Sequence, residues 1–138
     1  MKDLIRKYRN KDFYNLNCAE AILYSGNEYF QLGLKEECMK MVAGFGGGIF
    51  EKHLCGIVSG AVCVLSYLFK GKTIEGNNLL EIAVNDFKFE FRNLYDRIEC
   101  SYLKEKFYSS ETGCNDIIFK SAEVLQKIGD KYLSMSFI

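Results

Sequence analysis

The residues in this chain best equipped for chemistry are its six cysteines, Cys18, Cys38, Cys55, Cys63, Cys100 and Cys114. A thiol works as a nucleophile or metal ligand once it is a thiolate, so the setting of each cysteine decides its use. Four stand where helices are expected to begin. Cys18 follows Asn17, a good N-cap with Glu20 three residues on, as in a capping box. Cys55 follows a glycine cluster, Cys114 follows Thr112-Gly113, and Cys100 opens a shorter helix. A helix start offers unpaired N–H groups and a partial positive charge, both of which favour a thiolate.

Cys18, Cys55, Cys100 and Cys114 are therefore expected to converge as one site. They are candidate catalytic residues for a reversible disulfide or an electron relay. The alternative is that the same four thiolates hold zinc or an iron–sulfur cluster. A third reading is a helical interaction domain whose cysteines only pack. The chain has no C-x-x-C pair, so a disulfide would join distant segments, and the paired short spacing of common zinc modules is missing too. Cys38 and Cys63 fall inside expected helices and read as packing residues. Cys63 lies eight residues beyond Cys55, about 12 Å along a helix, too far for a disulfide. The lone histidine, His53, precedes Cys55 by two residues and reads as an exposed turn residue rather than a catalytic partner.

The glycines belong to the elements that position these cysteines. At least one of Gly46, Gly47 and Gly48 is expected to take positive φ, turning the chain into the Cys55 helix. Gly56 and Gly60, one turn apart, give that helix a smooth face for close packing. "GFGGGI" does not match a dinucleotide fingerprint, because Ile49 takes the third glycine's place and a helix precedes it. "KGKT" lacks the first glycine of a phosphate-binding loop, which would fall at Ser66.

Around these residues the pattern is helical. Lys2 to Phe13 is expected to form a first helix with Leu4, Ile5, Tyr8 and Asp12-Phe13 on one side. A second helix starts at Asn17 and places Cys18, Ile22, Ser25 and Tyr29 on one face. A third runs from Leu34 to Ala43, and the uncharged stretch Leu54 to Phe69 forms a buried helix stopped at Gly71. A long helix starts after Thr73 or Asn78. Its aromatic residues Phe87, Phe89, Phe91 and Tyr95 read as core and interface packing. The last helix, Cys114 to Leu133, is expected to bury Ile118, Ala122, Leu125, Ile128 and Tyr132. The fold class is all-α, a compact bundle of five or six helices. The absence of proline suits it.

With 138 residues the chain is expected to be a single domain, 1–138. Its 18 basic and 18 acidic residues give zero net charge, and no basic run marks a nucleic-acid binder. Leu54 to Phe69 is too short to span a membrane. The charged N-terminal stretch lacks the apolar core of a secretory leader, so a cytoplasmic setting is expected, where static disulfides are disfavoured. A redox partner of unspecified kind is implied, and the Gly56/Gly60 face allows a homodimer.

Taken together, "NCAEAIL" at Cys18, "AGFGGGIF" at Ala43, "CGIVSGAV" at Cys55, Cys100 and "CNDIIFKSAEVL" at Cys114 resemble a family of small bacterial and archaeal proteins. That family is named for its pattern C-GCAxxG-C-C, and a redox activity is ascribed to it. The resemblance covers nearly the whole chain and implies that the family's cysteines are Cys18, Cys55, Cys100 and Cys114 and its glycines Gly56 and Gly60. Ile57 stands where relatives have alanine, which is expected to tighten the packing there.

Overall fold

Asparagine caps open two of the helices in the computed structural model, which describes residues 1–135. Asn17 Oδ1 accepts from the Glu20 amide at 3.0 Å and Glu20 Oε1 accepts from the Asn17 amide at 3.1 Å. This reciprocal pair opens α2 (Cys18–Tyr29). Asn78 caps α5 (Leu79–Tyr95) by accepting from Leu80 and Glu81. The remaining helices are α1 (Lys2–Arg9), α3 (Glu36–Met39), α4 (Gly56–Phe69), α6 (Cys100–Phe107) and α7 (Asn115–Leu133). The fold is all-α, and its only sheet among the described residues is a two-residue hairpin, Thr73–Ile74 with Asn77–Asn78. Glu75 and Gly76 form its turn, both at positive φ.

The core forms where α2, α4, α5 and α7 meet, with Ile22, Leu65, Phe69, Phe87, Phe91, Ile118 and Leu125 fully buried. The most extensive contact is between α2 and α4. It is close because α4 presents Gly60, where an added Cβ would stand 2.7 Å from the Ala19 carbonyl oxygen. At Gly56 the same atom would stand 2.9 Å from the Phe45 carbonyl oxygen. The smooth face of α4 is therefore occupied by α2 of the same chain and gives no argument for a homodimer. Ile57 is buried beside it. In α7 the expected residues Ile118, Ala122, Leu125, Ile128 and Tyr132 are all buried. α4 ends at Phe69, and Gly71 follows at φ 78°.

Three sequence expectations need correction. The first helix stops at Arg9, not Phe13, because Asn10 Oδ1 accepts from the Asp12 amide and folds the chain into a turn. Phe13 is left 78% exposed. The third helix is α-helical only over Glu36–Met39 and tightens into a 3-10 segment over Lys40–Phe45. Residues three apart line up in that tighter winding, and Met39 and Val42 both turn inward. In α5, Phe87, Phe91 and Tyr95 form a buried ladder with ring centroids 6.0 and 5.2 Å apart. Phe89 falls on the opposite face and is exposed. The single-domain expectation spans 1–138, and its last three residues lie outside the described residues.

Candidate functional site

Four helices begin around one cavity. Cys18 is the first residue of α2, Cys100 the first of α6, and Cys55 and Cys114 are the N-caps of α4 and α7. All four cysteines line a cavity of about 750 Å³.

Each is held there by hydrogen bonds between distant segments. Asn17, just ahead of Cys18, donates from Nδ2 to the Ala43 carbonyl at 2.9 Å, tying α2 to the glycine loop. Leu54 and Glu99 form an isolated antiparallel bridge. Around it, the Cys55 amide donates to Ile98 O at 2.9 Å and the Cys100 amide donates to His53 O at 2.5 Å. A pair of cysteines far apart in sequence is thus set on adjoining strands of chain. Arg9 ties the other two. Its Nε donates to Asn115 Oδ1 and its Nη1 to Leu16 O, both at 2.9 Å, linking the residue after Cys114 to the approach to Cys18.

The glycine loop shapes the floor. Gly47 and Gly48 have φ of 62° and 64°, whereas Gly46 is at −61°. Gly48 has a second constraint, since a Cβ there would lie 2.7 Å from Cys100 Cβ and 2.6 Å from the His53 amide nitrogen. At Gly46 the added atom would meet the Asn17 side chain at 2.3 Å. The left-handed turn runs on into Ile49, Phe50 and Lys52, all at positive φ. Such values are uncommon for non-glycine residues and least expected for a β-branched one, and the glycine pattern alone did not reveal them.

The helix starts do not make thiolates of all four cysteines, contrary to expectation. Burial pushes the Cys55 thiol up to about 12, although the amide groups of Ile57 and Val58 pull it the other way. Cys100 is also raised, mainly by burial, with Lys104 and Lys52 opposing. Cys55 and Cys100 are each only 6% exposed, and loss of hydration there outweighs the helix-end field. Cys18 is lowered, but by neighbouring side chains rather than by its helix start. A hydrogen bond from the Cys114 thiol lowers it most, burial opposes, and Arg9 lowers it further. Cys114 is raised in turn, first by that same hydrogen bond and then by burial. The pair therefore divides into one sulfur shifted toward ionisation and one shifted toward keeping its proton.

Cys38 and Cys63 stand outside this cavity and line a separate apolar groove of about 440 Å³. Cys63 is half-buried against the core. Cys38 is exposed, which corrects its reading as a packing residue, because α3 runs along the surface. The His53 ring is exposed and approaches Glu51 Oε2 at 3.1 Å. It does not line the cavity; His53 contributes through its backbone carbonyl. Among the described residues, no group of three or more His, Cys, Asp or Glu side chains is arranged to hold a metal ion. Arg9 and Lys104, both lining the cavity, went unnoticed in the sequence, since nothing in their neighbours distinguishes them from surface charges.

An all-helical fold that gathers four cysteines at one cavity defines a cysteine-centred protein class. The chain belongs to the C_GCAxxG_C_C family, described as "Putative redox-active protein", whose model matches residues 16–128. No curated protein and no solved structure matches the chain. No helix among the described residues is long and apolar enough to cross a membrane.

Proposed function

We propose that this protein, acting as one domain, is a thiol–disulfide redox protein in which Cys18 and Cys114 form the exchanging pair. The observation that carries this reading is that the two cysteines line one cavity and are tied through Arg9, and each shifts the other's acidity in the opposite direction. Cys18, as thiolate, attacks one sulfur of a substrate disulfide. A mixed disulfide forms and the first substrate thiolate leaves. Cys114 then attacks the Cys18 sulfur, forming the Cys18–Cys114 disulfide and expelling the second substrate thiolate. Two electrons pass from the protein dithiol to the substrate, and the two thiol protons end on the departing thiolates. The raised acidity constant of Cys114 does not block the second step. Its largest cause is the bond to the Cys18 sulfur, and that sulfur ceases to be an anion once it joins the mixed disulfide.

Cys55 and Cys100 act in this reading as a second, buried dithiol that exchanges with the first by the same chemistry. Their adjoining backbones support this assignment. A reducing compartment such as the cytoplasm suits a cycle that starts from free thiols.

The test begins with protein purified without oxygen, treated with a mild disulfide oxidant and mapped by peptide mass spectrometry. The expected product links Cys18 to Cys114, reverses with reductant, and is lost in C18S and C114S. C38S and C63S are expected to leave it intact. Linkage confined to other cysteines would overturn the assignment of the pair. Stoichiometric zinc or iron in the same protein, lost in C18S, would favour the metal-binding reading instead.

A further inference from the structure

The cavity holds more than sulfur. Arg9, Lys11 and Lys104 line it, against two carboxylates, Glu20 and Glu111. Glu20 is engaged in the capping box with Asn17, and Glu111 is exposed. Neither Arg9 nor Lys104 belongs to an ion pair among the described residues. Arg9 is held by Asn115 and Leu16 through Nε and Nη1, which leaves its Nη2 edge without an assigned partner. Both cations reach the sulfurs electrostatically. Arg9 acts on Cys18 and Cys114, and Lys104 acts on Cys100 and Cys114. The positive ends of α2, α4, α6 and α7 meet at the same place. A chain with zero net charge thus concentrates positive potential at its thiols.

A cavity of about 750 Å³ falls within the range of small-molecule sites, roughly 300–1,000 Å³. It is walled, half-polar and lined by groups that would bind carboxylates. We propose that the substrate is a small anionic disulfide, the oxidised form of a low-molecular-weight thiol bearing carboxylate groups. Arg9 and Lys104 hold its carboxylates and present its sulfur–sulfur bond to Cys18. This rests on the dithiol reading above and assigns that site a substrate class. Lys104 is a specificity residue here. It selects charge and takes no part in bond exchange. The covalent step is the exchange already written, with the substrate disulfide as oxidant and two anionic thiols as products.

The experiment compares two probe disulfides on reduced protein in which Cys38 and Cys63 are serine. One probe is dianionic, the disulfide of nitrothiobenzoate. The other is dithiodipyridine, which is neutral. The rate of the first release is measured for each, and the ratio cancels the thiolate fraction of Cys18. Electrostatic steering raises association rates by about tenfold or more and weakens with salt. The expected result is an anionic-to-neutral ratio well above that of a free small thiol, falling as salt is added. K104Q should cut the ratio several-fold by slowing the anionic probe alone. K106Q removes the same charge from an exposed position on α6 that does not line the cavity, and should leave the ratio within about twofold. Equal effects of K104Q and K106Q, or a wild-type ratio no higher than that of a free thiol, would overturn the anionic substrate while leaving the dithiol reading in place. If Cys18 reacts with neither probe, the dithiol reading falls and takes this inference with it.

Discussion

At the residue scale, position along a helix and protonation state separate cleanly. That Cys18, Cys55, Cys100 and Cys114 stand at helix starts was legible from Asn17, the glycine cluster and Thr112-Gly113. Their acidities were not, because burial depends on what the rest of the chain places overhead. Cys55 stands at a helix start by sequence too, yet its thiol is pushed up to about 12. Cys18 is lowered chiefly because Cys114 donates to it, a contact that no local pattern encodes. This gives a test at a single residue. The folded acidity constant of Cys18 lies below its unfolded value, so the thiolate fraction at neutral pH exceeds that of a free cysteine. It falls away as pH drops through the folded value. Alkylation of Cys18 by iodoacetamide, followed against pH, should therefore show its inflection below that of an ordinary thiol. In C114A the main lowering cause is gone and the inflection should move up, slowing alkylation at neutral pH several-fold. An unchanged profile in C114A would mean that Arg9 or the helix end, not Cys114, sets the Cys18 acidity.

At the scale of elements, what carried through from sequence was whatever a few neighbouring residues decide alone. The capping box at Asn17 and Glu20, the stop at Gly71 and the buried face of α7 are of this kind. The short α1, the 3-10 tightening after Met39 and the left-handed run through Ile49 and Phe50 depend on contacts across the fold. The Gly56/Gly60 stripe sits between these cases. Sequence indicated close packing, but only the structure identifies the partner as α2. Because α2 carries Cys18 and α4 carries Cys55, their separation sets part of the cavity. A methyl group at Gly60 would meet the α2 backbone, not a movable side chain tip, at 2.7 Å from Ala19 O. G60A should therefore force the helices apart and destabilise by about 1–3 kcal/mol, the usual range for overpacking. Gly44 supplies the comparison. Its φ is not positive and nothing lies within 4 Å of an added Cβ, so G44A should stay within about 0.5 kcal/mol of wild type, as for a neutral surface change. Urea denaturation of the two variants gives both values. Equal stability for G60A and G44A would show that α2 and α4 yield freely, and that the glycine stripe does not fix the spacing of Cys18 and Cys55.

At the scale of the whole molecule, convergence of the cysteines is a property of topology. Cys18 and Cys114 reach the same cavity because α2 and α7 pack on each other and on α1, and Arg9, the last residue of α1, bonds to the chain near each cysteine. Sequence spacing offers no route to that result. Topology also ties redox state to stability. A Cys18–Cys114 disulfide would close a loop over most of the chain. In the chain-entropy account, a loop of about 100 residues restricts the unfolded state by about 4.7 kcal/mol if the native geometry needs no distortion. Both thiols already face one cavity in the reduced fold, so the bundle need not reorganise to join them. The oxidised protein should then melt well above the reduced one, by about 10–20 °C if each kcal/mol shifts a domain of this size by roughly 2–4 °C. The same free energy appears on the redox side. Whatever the disulfide adds to the fold, the fold returns by favouring the disulfide, so denaturant should make the pair easier to reduce. Melting of oxidised and reduced protein, with C114S as the variant that cannot form the link, measures this directly. The difference should vanish in C114S. An oxidised protein that melts at or below the reduced one would show that closing the disulfide strains the bundle, and the contact between Cys18 and Cys114 would then be a packing arrangement rather than a pair set to exchange.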